Sequence, residues 1–171
     1  MPESDADLRA ASETAVRQCL DLQPDESLAV VTDDKRERIG EALYEVASEV
    51  TDDATIARYP PGNQHGEEPP APVAAAMRAC DAFLAPTTKS LSHTRARGDA
   101  CDAGARGATL PGITEEVFVT GLDADYDAIY DHSAAMLDAV GDADELRVTT
   151  EKGTDITFVR GDREWLADTG A

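Results

Sequence analysis

The chain has 171 residues with 35 acidic and 15 basic side chains, a net charge of −20, so it lacks the basic face that nucleic-acid phosphates require. No stretch approaches the ~20 consecutive apolar residues of a membrane span, and the start MPESDADLRA has neither the basic lead nor the apolar run of a signal peptide. Hydrophobic residues make up 42%, which suits one domain with a proper core and excludes a disordered acidic tail; the expected setting is the cytoplasm.

The carboxylates are spread along the whole chain among apolar periodic positions, and lysine is confined to Lys35, Lys89 and Lys152. Dispersed acid, scarce lysine and many small residues read as the surface of a halophilic protein, for which molar salt screens the self-repulsion of such a charge. Cys19, Cys80 and Cys101 form no CxxC pair. They fit small buried hydrophobes better than a disulfide framework or a thiolate zinc site, with Cys19 and Cys80 on the apolar sides of helices.

Residues 4–22 have the spacing of an amphipathic helix, with Leu8, Ala11, Ala15, Cys19 and Leu22 on its inner face. SLAVVT (27–32) is a short apolar run suited to a strand buried on both faces. Asp33 or Asp34 is placed to cap a helix whose core face is Ile39, Leu43, Val46 and Val50. ATIARY (54–59) predicts a second strand, and PPGNQHGEEPPAP a long Pro/Gly-rich loop before a helix through Val73, Met77 and Cys80. AFLAP (82–86) predicts the third strand, residues 91–103 a helix, and ARGATL (105–110) the fourth strand.

Four alternations of strand and helix predict an α/β fold, an open, mostly parallel Rossmann-like sheet with helices on both faces. A helix from Asp123 to Val140, with Tyr126, Ile129, Ser133, Met136, Leu137 and Val140 inward, is expected to close the layer. ELRVTT and TDITFVR then flank Lys152-Gly153 as an antiparallel hairpin with Gly153 in the turn. An isolated hairpin is marginal in water. The expected division is therefore a Rossmann-like domain over 1–141 and, over 142–171, a hairpin beginning a second, catalytic domain that the chain cuts short.

Ligands of an open parallel sheet gather beyond the carboxyl ends of its strands. The first loop there, in TDDKRERIG, offers two carboxylates where a dinucleotide fold needs glycines, so NAD or FAD is not expected, and no P-loop pattern occurs. The third, PTTKSLSHTRAR, is the densest polar segment. It enters a helix whose N–H groups and dipole favour an anion, although Ser and Thr are also ordinary helix caps. Adjacent Ser92 and His93 do not make a hydrolytic pair, and there is no GxSxG elbow. His65, in HGEE with Glu67 and Glu68, and His93 could converge at the sheet's carboxyl edge, while His132 beside Asp131 suits a surface or packing role. With no HExxH motif, no metal ligand is assigned, and Glu67-Glu68 read as surface.

The segments GEALYEVASEV (40–50), HGEEPPAPVAAAMRACDAFLAPTTKSLSHTRAR (65–97), GARGATLPGITEEVF (104–118) and ELRVTTEKGTDITF (145–158) resemble the N-terminal part of the aminopeptidase T (leucyl aminopeptidase) metallopeptidases in their archaeal form. The most specific piece is TKSLSHTRAR followed by ATLPGIT. The resemblance implies a homodimeric exopeptidase that releases N-terminal residues from peptides with two divalent ions, zinc, cobalt or similar, and a bridging water. It implies that the family's ligands lie beyond this chain, so that none is expected to be bound by these residues and this stretch alone is inactive. Lys89, Ser90, His93 and Thr94 become candidate substrate-side residues. The family is also related to a ring-cleaving dihydroxypyridine dioxygenase, so the shared domain does not fix the chemistry. The alternative is a non-catalytic domain that binds a small anion or serves assembly.

Overall fold

A computed structural model describes residues 3–166. The chain forms two compact units, one ending at Ala124 and the other beginning at Asp125. Sequence analysis placed the division after Gly141.

The first unit is built on a four-stranded parallel sheet of order β2-β1-β3-β4, with β1 Leu28–Asp33, β2 Ala54–Tyr59, β3 Ala82–Ala85 and β4 Arg106–Thr109. Every residue of β1 and β3 is buried, as expected of short apolar runs in a sheet covered on both faces. Alternate residues feed two separate cores. Leu28, Val30, Ala82 and Leu84 face one cluster with Leu8, Leu43, Val46 and Phe118; these come from α1 (Asp5–Glu13), α2 (Glu37–Ala47) and α5 (Glu115–Leu122). Ala29, Val31, Phe83 and Ala85 face the other, with Val73 and Met77 of α3 (Ala71–Ala79) and Ala100 of α4 (Arg95–Asp102). Helices on both faces of a parallel sheet are the architecture the sequence predicts.

Four local departures have physical causes. The first helix is not uniformly α. After α1 it widens into a π-helical stretch, Thr14–Cys19, in which the Leu20 N–H reaches back to the Ala15 carbonyl at 3.0 Å. The slip leaves Leu20 buried and Cys19 only half-buried. Cys80 and Cys101 are also half-buried, packed against the second core. Neither Asp33 nor Asp34 caps α2, whose N-cap is Arg36 without a side-chain hydrogen bond. A helix absent from the expectation, α5, begins where the Thr114 hydroxyl accepts the Val117 N–H, and it buries Phe118 completely.

Two glycines allow close approach. A Cβ on Gly40 would stand 2.7 Å from the Cβ of Thr32, where α2 lies on β1. One on Gly107 would stand 2.1 Å from the Phe83 carbonyl oxygen, where β4 meets β3.

In the second unit, α6 (Tyr126–Val140) starts with the Asp125 carboxylate accepting the Ala128 N–H. The helix expected to close the first layer thus belongs to the other unit, with Ile129 and Met136 exposed rather than inward. The expected hairpin follows as β5 (Glu145–Thr149) and β6 (Asp155–Val159), with Gly153 at φ 98° in its turn. Cross-strand pairs Leu146–Phe158 and Val148–Ile156 share one face, and Arg147 grips Asp155 with two 2.7 Å hydrogen bonds on the other. With Arg160, Arg163 and Trp165 the hairpin lines a groove of about 470 Å³.

Candidate functional site at the carboxyl edge of the sheet

The strand order reverses between β1 and β3, which makes their carboxyl ends the natural crevice of this fold. The chain's own side chains fill it. Asp33, at the end of β1 and 1% exposed, accepts the Lys35 N–H at 3.0 Å. Its second set of donors comes from the β3 loop: the Thr88 N–H at 2.5 Å and the Thr88 hydroxyl at 3.0 Å. A buried carboxylate that has collected its donors in this way stands where a ligand's anionic group would stand. The neighbouring loops are tied as well. The Gly112 N–H donates to the Thr87 carbonyl at 2.7 Å, and Arg36 reaches the Gly112 carbonyl at 3.2 Å.

Beside the crevice, residues 60–70 cross from β2 to the loop that follows β3. Glu67 folds this segment onto itself, accepting the Asn63 N–H at 2.5 Å and the Gln64 N–H at 3.3 Å. Those donors, Asn63 first, hold its carboxyl below the usual range. Glu68 accepts the N–H groups of Arg95 at 2.7 Å and Ala96 at 3.1 Å, the first turn of α4, and these lower its pKa likewise. The anion that sequence reasoning placed at this helix start is therefore the protein's own Glu68. Both glutamates remain at the surface, as read from sequence, and serve there as acceptors for backbone amides. His65 Nδ1 accepts the Ser90 N–H at 3.1 Å, and the Gly66 N–H donates to the Ser90 carbonyl at 2.9 Å.

The four candidate residues have different surroundings. Thr94 is buried, its hydroxyl donating to the Leu91 carbonyl at 2.7 Å and accepting the Arg97 N–H at 3.2 Å, so its polar atoms serve the helix cap. The Ser90 hydroxyl donates to the Ser92 hydroxyl at 3.0 Å, which in turn is 2.6 Å from the Thr109 hydroxyl on β4. This hydroxyl chain contains no imidazole. Lys89 lines a cavity of about 250 Å³ with Tyr59, Asn63, Glu67, Glu68 and Leu91. Burial first, then the charges of Asp33 and Glu67, push the Tyr59 hydroxyl up to about 12, so it stays protonated at neutral pH. His93 is exposed.

No group of three or more His, Cys, Asp and Glu side chains comes together among the described residues in a way that could hold a metal. Since Glu67 and Glu68 are engaged by backbone amides, the residues present do not fit the divalent ions that the resemblance implies. His132 and Asp131 lie on α6, exposed in the other unit. Among the described residues no helix is long and apolar enough to cross a membrane.

Sequence analysis missed Asp33, Glu68 and Arg36 as the residues that close this edge. Each partner lies on a different loop, and only the DD pair at the end of β1 carried a signal.

No model of a known protein family matches the chain, and no curated protein does. Among solved structures it is similar to 2,5-dihydroxypyridine dioxygenase from Pseudomonas putida KT2440, at 21% identity and a TM-score of 0.66, over 94% of this chain and 49% of that one. It also matches AmpT from Thermus thermophilus, at 16% identity and a TM-score of 0.47, over 88% and 52%. The first likeness shows a shared fold. The chain spans about half the length of both structures.

Proposed function

We propose that this chain is the α/β domain of a metal-dependent aminopeptidase whose metal ligands lie outside these residues. The observation that carries the reading is where the two most family-like segments meet. TKSLSHTRAR (88–97) and ATLPGIT (108–114) are joined by the Ser92–Thr109 hydroxyl contact of 2.6 Å at the carboxyl edge, where this fold class places its ligands. In this reading Lys89, Ser90 and His93 face the substrate side, with Thr94 holding the loop that carries them. The metal centre is contributed from elsewhere, and no chemical step is assigned to this chain.

The test is hydrolysis of leucyl-p-nitroanilide in molar KCl with added cobalt or zinc. The chain alone is expected to be inactive while folded. The product of the whole reading frame is expected to turn over and to lose activity to EDTA. Metal-dependent turnover by the 171 residues, or a reading frame that yields no such activity, overturns the proposal.

The same reading carries a homodimeric, cytoplasmic enzyme adapted to high salt. With a net charge of −20, the folded chain is expected to gain thermal stability as KCl rises into the molar range, because salt screens its self-repulsion. An unchanged melting temperature would argue against the halophilic reading alone.

A further inference from the structure

Residues 60–70 are attached to the edge of the sheet through two neighbouring sets of contacts. One is the Glu68 carboxylate on the Arg95 and Ala96 N–H groups; the other is the paired contact of His65 and Gly66 with the backbone of Ser90. The same segment, through Pro60 to Asn63, Glu67, Glu68 and Pro70, forms one wall of the cavity of about 250 Å³ that Tyr59, Lys89 and Leu91 complete. Apart from Pro69, these residues are exposed or half-exposed, so little apolar burial holds the segment down. Its position rests on polar contacts, two of which need a particular charge state. Glu68 uses both its oxygens, one for each amide, and protonation would turn one of them into a donor; an imidazole Nδ1 accepts only when it carries no proton.

We propose that residues 60–70 form a strap over this cavity, latched by Glu68 at the start of α4 and released as a unit when that contact is lost. Release uncovers Tyr59 and Lys89 and frees the α4 amides. The charged and titratable groups around the latch are Arg95 from α4, with Nε 3.6 Å from the carboxylate, Lys89 from the following loop, Tyr59 from β2, and Glu67 and His65 from the strap itself. Arg95 is largely exposed, so its ion pair adds little to the two amide bonds. Because those amides depress the Glu68 pKa, the latch holds above the ordinary carboxylate range and weakens as pH falls through the lowered value.

Amide hydrogen exchange, followed residue by residue by NMR at neutral pH in molar KCl, tests this in the whole chain. Glu68→Ala removes both acceptors. Thr94→Ala removes the other cap of the same helix and leaves the strap's contacts in place. In Glu68→Ala the Gly66 amide is expected to exchange at least about tenfold faster, together with those of Ser90, Arg95 and Ala96. In Thr94→Ala the faster exchange is expected to centre on Arg97, with Gly66 still protected. Protection of Gly66 that survives Glu68→Ala makes Glu68 a helix cap and nothing more, and overturns the proposal. Equal loss at Gly66 in both variants also overturns it, since fraying of α4 would then be the cause.

Discussion

β3 and β6 are both short strands carrying a phenylalanine among apolar neighbours, yet all of β3 is buried and all of β6 is exposed. β3 has β1 on one side, β4 on the other, and a helical layer on each face. β6 has a single neighbour, β5, and its face with Val148, Ile156 and Phe158 is 45–49% exposed. The contrast teaches that an apolar pattern marks a surface that gains by being covered, while the layers packed on a strand decide whether it is.

The largest expected effect that would break this contrast is at the centre of the buried sheet. Phe83→Ala should cost about 3–5 kcal/mol in equilibrium urea unfolding, because its ring is fully buried and a cavity would remain. Phe158→Ala should stay within about 0.5 kcal/mol, as exposed substitutions do. Similar losses at the two sites would mean that the hairpin face is covered in solution.

Gly107→Ala sharpens the comparison at the open side of the same sheet. Although exposed, it should cost about 1–3 kcal/mol, since the added methyl meets the Phe83 backbone and one strand must shift. A neutral result in thermal unfolding would show that β4 moves away freely.

Asp33→Asn should cost about 1–3 kcal/mol by leaving donors at Thr88 and Lys35 without a full acceptor. Unchanged stability would mean that water replaces the carboxylate.

The smallest effect is an acid dependence at the amino ends of the strands. There Arg106 binds Glu26 at 2.6 and 2.7 Å and lowers its pKa. A depressed carboxyl stabilises above its unfolded value and loses that contribution as pH falls through the folded one. The pair is partly exposed and worth under about 1 kcal/mol, so Arg106→Leu should flatten the stability–pH curve only slightly in the acid range.

The hairpin was fully legible because its signals are local: two β-rich runs and a glycine at a turn that requires positive φ. Helix α5 was missed, since EEVFVTGL is short and reads as the tail of a loop until Phe118 is given a core to enter. The inner face of α6 was read from periodicity alone, and periodicity names a face without naming what covers it.

The sequence by itself determined the parallel α/β sheet, because short apolar runs alternating with amphipathic helices are local features of neighbouring residues. Only the tertiary structure decided where the carboxylates of Asp33 and Glu68 are used. Their donors lie on Thr88 and on Arg95 and Ala96, reached by crossovers that bring distant loops to one edge. A carboxylate, buried like Asp33 or exposed like Glu68, takes whichever amides the fold presents to it, and that choice has no local code.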